Sequence, residues 1–370
     1  MSILDFVFYT FAVVVVIQVI IYLVVFGKFA YLKPKKKRTQ NLPVSVIVCA
    51  KNEAENLKTF LPSIISQNYP EFEIVLINDA SSDDTLDVME DFKSQYSNIK
   101  IVDVKNNEAF WGNKKYALTL GIKASSHEYL LFTDADCKVL SKYWIQEMTS
   151  HFSDRKSIIL GYGAYSKIKN SFLNKLIRFE TLLTAVNYFS FAKLGNPYMG
   201  VGRNLAYTKK EFFKANGFIK HMKVRSGDDD LFVNQVATKS NTAICFSADS
   251  FTESTPKTKW SAWIRQKRRH ISTAKHYKLN HKLSLALLYF CQVLFWILAI
   301  ALSITTYMWP FVVGLIVFRF IVQYAVYGSS AKKLNESDLL VLLPLLEIFL
   351  ISVQLAIFIK NLTSKPNHWK

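Results

Sequence analysis

The chain has 370 residues, 51% of them hydrophobic, and a formal net charge of +18. The length admits one or two domains, and the apolar excess, high for a soluble protein, gathers at the two ends. The charge alone would suit nucleic acid, anionic lipid or a phosphorylated substrate. The cysteines at 49, 137, 245 and 291 show no Cys-x-x-Cys spacing, which argues against a disulfide framework or a zinc site. All are expected to be reduced and structural.

Residues 2–26 are almost wholly apolar, about the length of one bilayer span. A signal peptide would open on a basic region and close on a small-residue cleavage site; neither is present. Lys28, Lys33, Lys35, Lys36, Lys37 and Arg38 follow the span, and the positive-inside rule puts what comes after them in the cytoplasm. The expected layout is a membrane helix over 1–28, a basic linker over 29–42, an α/β domain over 43–280 and a C-terminal membrane region over 281–370 with two or three spans.

Within the α/β domain, residues 44–50 read as a buried strand, followed by Lys51-Asn52-Glu53-Ala54 and a helix over 57–67. A second strand, 73–77, stops at Asn78-Asp79-Ala80-Ser81-Ser82-Asp83, and a helix begins near Asp84 with acids in its first turn, as the helix dipole favours. A third strand over 99–104 precedes Gly112-Asn113-Lys114-Lys115 and another helix. The fourth, Leu130-Leu131-Phe132-Thr133, stops at Asp134-Ala135-Asp136-Cys137. Strands alternating with helices imply parallel βαβ units. Ligands in such sheets sit outside the carboxyl ends of the strands, so Asp134 and Asp136 stand at the edge of a site. Two hard oxygen ligands there suit a divalent cation that also holds phosphate; a solvated strand-end turn is the alternative.

Residues 166–195 carry apolar and aromatic side chains at helical spacing, which fits an interfacial helix on lipid or an amphipathic helix covering the sheet. A glycine-rich loop over 195–204 could approach a ligand closely. Ser226-Gly227-Asp228-Asp229-Asp230-Leu231 places three carboxylates before a helix, where they could serve chemistry or simply cap it. A basic block with interleaved tryptophans over 257–282 abuts a membrane segment, so a juxtamembrane collar is preferred to nucleic-acid binding. Residues 283–308 and 311–327 are apolar spans, and 328–338 reads as a polar cytoplasmic loop. A fourth apolar segment, 339–359, is weakened by Pro344 and Glu347.

Taken in order and spacing, Ala50-Lys51-Asn52-Glu53, Asn78-Asp79-Ala80-Ser81-Ser82-Asp83, Asp134-Ala135-Asp136, Gly227-Asp228-Asp229-Asp230-Leu231 and Gln266-x-x-Arg269 resemble the family 2 glycosyltransferases with a GT-A fold. The likeness covers residues 43–275 and is nearest to membrane-embedded members related to cellulose, chitin and hyaluronan synthases. It implies a mixed, mainly parallel sheet with flanking helices, joined to transmembrane helices. It further implies donor contacts from Ala50, Glu53, Asp79, Lys114 and Asp134, with Asp79 at the uracil base and Lys114 near the phosphates. Asp136, with Asp134, would hold Mg2+ or Mn2+. Asp228 would be the general base, with Asp229 the alternative register, and Gln266 and Arg269 would lie by the acceptor and diphosphate. Two departures stand out. His270 occupies the position of the tryptophan that stacks on the acceptor in processive synthases, and Thr119 replaces a common asparagine.

The resulting expectation is a metal-dependent, inverting sugar transferase of the cell (inner) membrane with a cytoplasmic catalytic domain. It would take a nucleotide sugar, UDP-linked first of all, and a lipid-linked or saccharide acceptor beside membrane lipids. A processive synthase that exports its product and a non-catalytic scaffold are the competing expectations.

Overall fold

A computed structural model describes residues 2–34, 40–105, 114–224 and 226–363. Lys35, Lys36, Lys37, Arg38, Gly112, Asn113, Lys365 and Lys370 lie outside the described residues. In chain order the elements begin with α1 (Ile3–Ile20), a π turn (Ile21–Phe26) and α2 (Gly27–Ala30), which form one continuous rod. There follow β1 (Val44–Ala50), α3 (Ala54–Ile65), β2 (Phe72–Asp79), α4 (Thr85–Gln95), β3 (Ile99–Val104), α5 (Lys114–Ala124), β4 (Tyr129–Asp134), β5 (Cys137–Val139) and α6 (Trp144–Thr149). The second half holds β6 (Ile158–Leu160), β7 (Gly163–Tyr165), α7 (Phe172–Leu194), β8 (Leu205–Thr208), α8 (Lys209–Lys214), α9 (Asp230–Val236), β9 (Thr242–Ile244), β10 (Thr252–Ser254) and α10 (Trp260–Ile271). It ends in α11 (Leu279–Thr305), α12 (Trp309–Lys333) and α13 (Leu343–Thr363).

Alternation of side chains along a strand sends successive residues to opposite faces, and β1 shows the result. Val44, Val46, Val48 and Ala50 join a core with Leu57 and Leu61 of α3, Met89 of α4 and Trp144 of α6. Ile47 faces a second core with Ala117 and Ile122 of α5 and the buried side of α7. A sheet covered on both faces needs near-continuous apolar strands, which is what β1, β2 and β4 are.

The large sheet has seven strands in the order β3-β2-β1-β4-β8-β6-β9; β1, β2, β3 and β4 run parallel, and β8 is antiparallel to both β4 and β6. Winding reverses between β1 and β4, with Cys49 opposite Asp134. That reversal opens a crevice at their carboxyl ends, the place where ligands bind in such sheets. A three-stranded sheet, β5-β10-β7, closes one side.

Two expectations need correction. The first α/β helix starts at Ala54 rather than residue 57, because Asn52 turns left-handed (φ 55°) and Glu53 already occupies the N-cap. The stretch 328–338 is mostly helix: α12 runs on to Lys333, whose ammonium bonds the carbonyls of Phe29 and Ala30 at the end of α2. Of the two readings of residues 166–195, α7 follows the one in which the helix covers the sheet. Leu176, Phe179, Leu182, Val186 and Phe189 are buried, and the helix is wedged between β7 and β9 on one side and α2 and α13 on the other.

Four helices, Ile3–Ala30, Leu279–Thr305, Trp309–Lys333 and Ser337–Thr363, are long and apolar enough to cross a membrane. Pro344 does not weaken the last, because it lies in the first turn of α13, where backbone N–H groups have no helical partner. Glu347 is matched by Arg319, itself fully buried. The Arg319 guanidinium donates to both oxygens of Glu347 (2.6 and 2.9 Å), to Gln18 Oε1 (2.8 Å), Gln323 Oε1 (2.6 Å) and Tyr22 Oη (2.8 Å). Every guanidinium N–H is thereby satisfied, and α1, α12 and α13 meet at one point. Breaking such a pair from one side strands the other charge, so Glu347→Leu should cost about 3 kcal/mol or more. Arg319→Met combined with Glu347→Leu should recover most of that loss; thermal unfolding in detergent measures both.

Candidate functional site

The floor of the crevice is made by the loops after β1 and β2, which are bonded to each other. Asn52 N–H donates to Ser81 Oγ (3.0 Å), Ser82 N–H to Asn52 Oδ1 (2.8 Å), and Glu53 N–H to Thr85 Oγ1 (2.8 Å). Ala80 is left-handed (φ 49°), which lets β2 turn directly into this contact. The arrangement sets Ala50, the last residue of β1, and Glu53 beside Asp79, the last residue of β2. Asp79 is buried, and burial pushes its carboxyl up against the pull of Lys51 and Lys114.

At the next strand, β4 ends on Asp134 and the turn to β5 presents Asp136. Lys114, the first residue of α5, reaches across: its Nζ lies 2.8 Å from Asp134 Oδ1 and 3.2 Å from Asp228 Oδ2. Burial pushes Asp134 up, but the charge and hydrogen bond of Lys114 outweigh it and hold the carboxyl below its ordinary value. For Asp136, burial, Asp134 and Glu53 all push the carboxyl up. A cation between the two carboxylates would relieve that strain. Ligand atoms of Asp134, Asp136 and Cys137 lie within 4.8 Å of one another. Cys137 is poorly suited to join them, since burial keeps its thiol protonated and its Sγ sits 3.0 Å from Ser254 Oγ. The remaining donors are hard oxygens, which fit Mg2+ or Mn2+ better than a soft metal.

The three consecutive aspartates point three ways. Asp228 faces Lys114. Asp229 caps α9 through Asp230 N–H (2.7 Å) and accepts Gly202 N–H (2.7 Å) from the glycine-rich loop. Asp230 accepts from Tyr277 Oη (2.6 Å) and from Thr273 Oγ1. A small cleft beside them is lined by Cys49, Lys114, Asp134, Asp228 and Asp229 among others. Burial, then Asp228 and Asp230, push the Asp229 carboxyl up to about 8.

Gln266 and Arg269 sit on α10, and the charge of Arg269 reaches both Asp228 and Asp134. His270 is exposed. Two residues escaped the reading of the sequence. Arg203 lies with its guanidinium 4.1 Å from the ring centre of Tyr165, held by Ala164 O (3.1 Å) and Ser254 Oγ (3.3 Å), and its charge acts on both Asp134 and Asp136. A Cβ at residue 163 would stand 2.5 Å from Arg203 Nε, so Gly163 makes room for it. The one signal in the sequence was an arginine inside a glycine-rich loop. Lys115, masked by its neighbour Lys114, is the other.

The site thus combines carboxylates able to hold a divalent cation, cations able to face an anion, and a separate carboxylate at hydrogen-bond range of the same lysine. Residues 45–223 match the family model described as Glycosyl transferase family 2. Poly-beta-1,6-N-acetyl-D-glucosamine synthase of Staphylococcus epidermidis is 39% identical over 102 residues, which is 28% of this chain and 24% of that protein. UDP-Glc:alpha-D-GlcNAc-diphosphoundecaprenol beta-1,3-glucosyltransferase WfaP of Escherichia coli is 28% identical over 125 residues, 33% of this chain and 45% of that protein. The chain therefore matches less than half the length of these relatives. Among solved structures, the mannosyltransferase PcManGT of Pyrobaculum calidifontis, in complex with GDP-Man and Mn2+, superposes with a TM-score of 0.55 at 15% identity, covering 91% of this chain and 99% of that one. The likeness is one of fold.

The raised Asp229 carboxyl has a consequence for stability. Between the unfolded value near ~4 and the folded value of about 8, the folded state keeps a proton that the unfolded state has lost. Stability should therefore fall as pH rises through that window and level off above it. Thermal unfolding across the window should show the decline, and Asp229→Asn should flatten it whatever its effect on the absolute midpoint.

Proposed function

We propose that this chain, whose residues 45–223 form a family 2 glycosyl transferase domain, is a membrane-bound inverting glycosyltransferase. It moves a sugar from a nucleotide-diphosphate donor, UDP-linked on this reading, to a lipid-linked or saccharide acceptor. The observation that carries the proposal is the reach of Lys114, whose single ammonium contacts Asp134 and Asp228 together. A residue assigned to the donor and the residue assigned as the base are thereby held by one group.

Asp79, Ala50 and Glu53 would line the nucleoside end of the crevice, and Lys114, Arg203 and Arg269 the diphosphate. Asp136, with Asp134, would hold Mg2+ or Mn2+, which when bound supplies Lewis-acid stabilisation of the leaving diphosphate. Fixed cations placed where negative charge develops lower the barrier further without reorganising. Asp228 takes the proton from the acceptor hydroxyl as its oxygen attacks the anomeric carbon. The new C–O bond forms on the face opposite the departing diphosphate, so configuration inverts. Asp229 is less suited to that task, because its two oxygens are engaged by backbone N–H groups.

A lipid-linked acceptor is favoured by the position of α10, which carries Gln266 and Arg269. It packs on α13, with Arg268 Nε donating to Asn361 Oδ1 at 2.8 Å. On this reading the four apolar helices hold the cytoplasmic domain against the inner membrane, where a lipid-linked substrate is found. The name of the Escherichia coli relative includes a diphosphoundecaprenol acceptor. The name of the Staphylococcus epidermidis relative supports a second reading, repeated addition to a polymer. Product length separates the two: one added sugar against a ladder.

A panel of nucleotide sugars offered to the purified protein with Mn2+ or Mg2+, with released diphosphate as the readout, tests the proposal. Asp228→Asn should lower kcat by about 10²-fold or more while nucleotide binding persists. Asp136→Ala should abolish the cation dependence of nucleotide binding. Wild-type protein that releases no diphosphate from any donor, in the presence of lipid-linked and saccharide acceptors, would refute it.

A further inference from the structure

We propose that Lys115 is a positioning residue for the transfer reaction, and that it sets the backbone from which Asp228 is presented. The inference rests on the reading of Asp228 as base. Lys115 follows Lys114 in the first turn of α5 but points the other way, into the protein, and is 1% exposed. Its ammonium donates to His221 O (2.9 Å), Val224 O (2.7 Å) and Ser226 O (2.7 Å). An ammonium has three N–H donors in tetrahedral array, and three carbonyls from the approach to Asp228 converge on it.

The approach's own backbone bonds are local, from His221 N–H to Phe218 O and from Val224 N–H to His221 O (both 2.9 Å), while Phe218, Met222 and Val224 pack on the core. It leaves α8 through Gly217 (φ 58°), makes a single 3-10 turn at Ile219–His221, and enters the acidic run through Gly227 (φ 93°). No described strand or helix ladder spans residues 222–228. Lys220 and Lys223 are exposed, and Ile219 is 71% exposed. Beyond Asp228 the chain is held again, by Asp230 on Tyr277 and Thr273. Adjacent lysines on one rigid helix therefore fix Asp228 twice: Lys114 by its carboxylate, Lys115 by the backbone leading to it. Misplacing a reacting group by an ångström costs about 10²-fold in rate even when binding is intact. A buried lysine that only stabilised the domain would be under no such requirement.

Lys115→Met keeps the length of the side chain and removes its charge and donors. The expected result is a kcat lowered by about 10-fold to 10²-fold, with donor KM changed by less than about twofold and with faster hydrogen exchange confined to residues 219–228. In Lys115→Ala, added propylammonium should restore part of kcat by refilling the carbonyl cage. Wild-type kcat in Lys115→Met, or native exchange across 219–228, would overturn the inference. So would a parallel fall of kcat, nucleotide affinity and unfolding midpoint without amine rescue, which would mark Lys115 as structural only. Lys115→Arg, which retains the charge, supplies the comparison if the neutral variants fold poorly. Wild-type protein inactive in transfer would sink the parent reading instead, while the exchange measurement still judges Lys115.

Discussion

The site depends on one ammonium group placed between carboxylates from different halves of the chain. Asp134 ends a strand of the first, parallel half, and Asp228 precedes a short helix of the second. Brought together without a cation they would repel in a half-buried crevice. Lys114 answers both at once, at 2.8 and 3.2 Å, and this is possible because α5 begins at the carboxyl end of the sheet. The antiparallel strand β8, between β4 and β6, carries the second half back across that edge. The same geometry separates three acidic neighbours into different tasks: one faces the lysine, one takes backbone N–H groups, one anchors hydroxyls on the segment after α10.

The domain and the apolar helices are built as one body. α7 is covered on both sides, and Arg178 in its second turn bonds Glu336 and Asp338 (2.6 Å), on the turn that opens α13. The Arg319 cluster ties α1, α12 and α13 together further along. Buried ion pairs are poor sources of net stability but demand one arrangement. In apolar surroundings they specify register between helices whose Leu and Ile faces would tolerate several.

Much of this could be seen in the residues. Val44 to Ala50 announced a strand because every position is apolar or small, and Asp134 and Asp136 stood out because the apolar run before them puts two carboxylates at the carboxyl end of a strand, where ligands bind in such sheets. What could not be seen depends on distance in space. The periodicity of α7 was the same for a helix on lipid as for one between layers; only the partners on its second face distinguish them. Pro344 and Glu347 looked like flaws in a span until the helix start and Arg319 were placed beside them. Arg203 has no motif, since its role comes from Tyr165, Ala164 and Ser254, distant in sequence. For the aspartate triplet, repetition of one residue type erased any clue to which carboxylate faces inward, and the partners supplied by Gly202, Lys114 and Tyr277 restored it.

Phe29, near the end of the first rod, is fully buried, with its ring 5.0 Å from Phe189 of α7 and 5.4 Å from Phe246, measured between centroids. The leading segment is therefore more than a tether. Its last turn is a plug in the same interior that supports the crevice, sealed from behind by the Lys333 ammonium. Trimming the chain to a fragment that begins after this turn would leave an aromatic-sized hole beneath the sheet, and a fragment so cut should handle as a loosened domain rather than as an intact one.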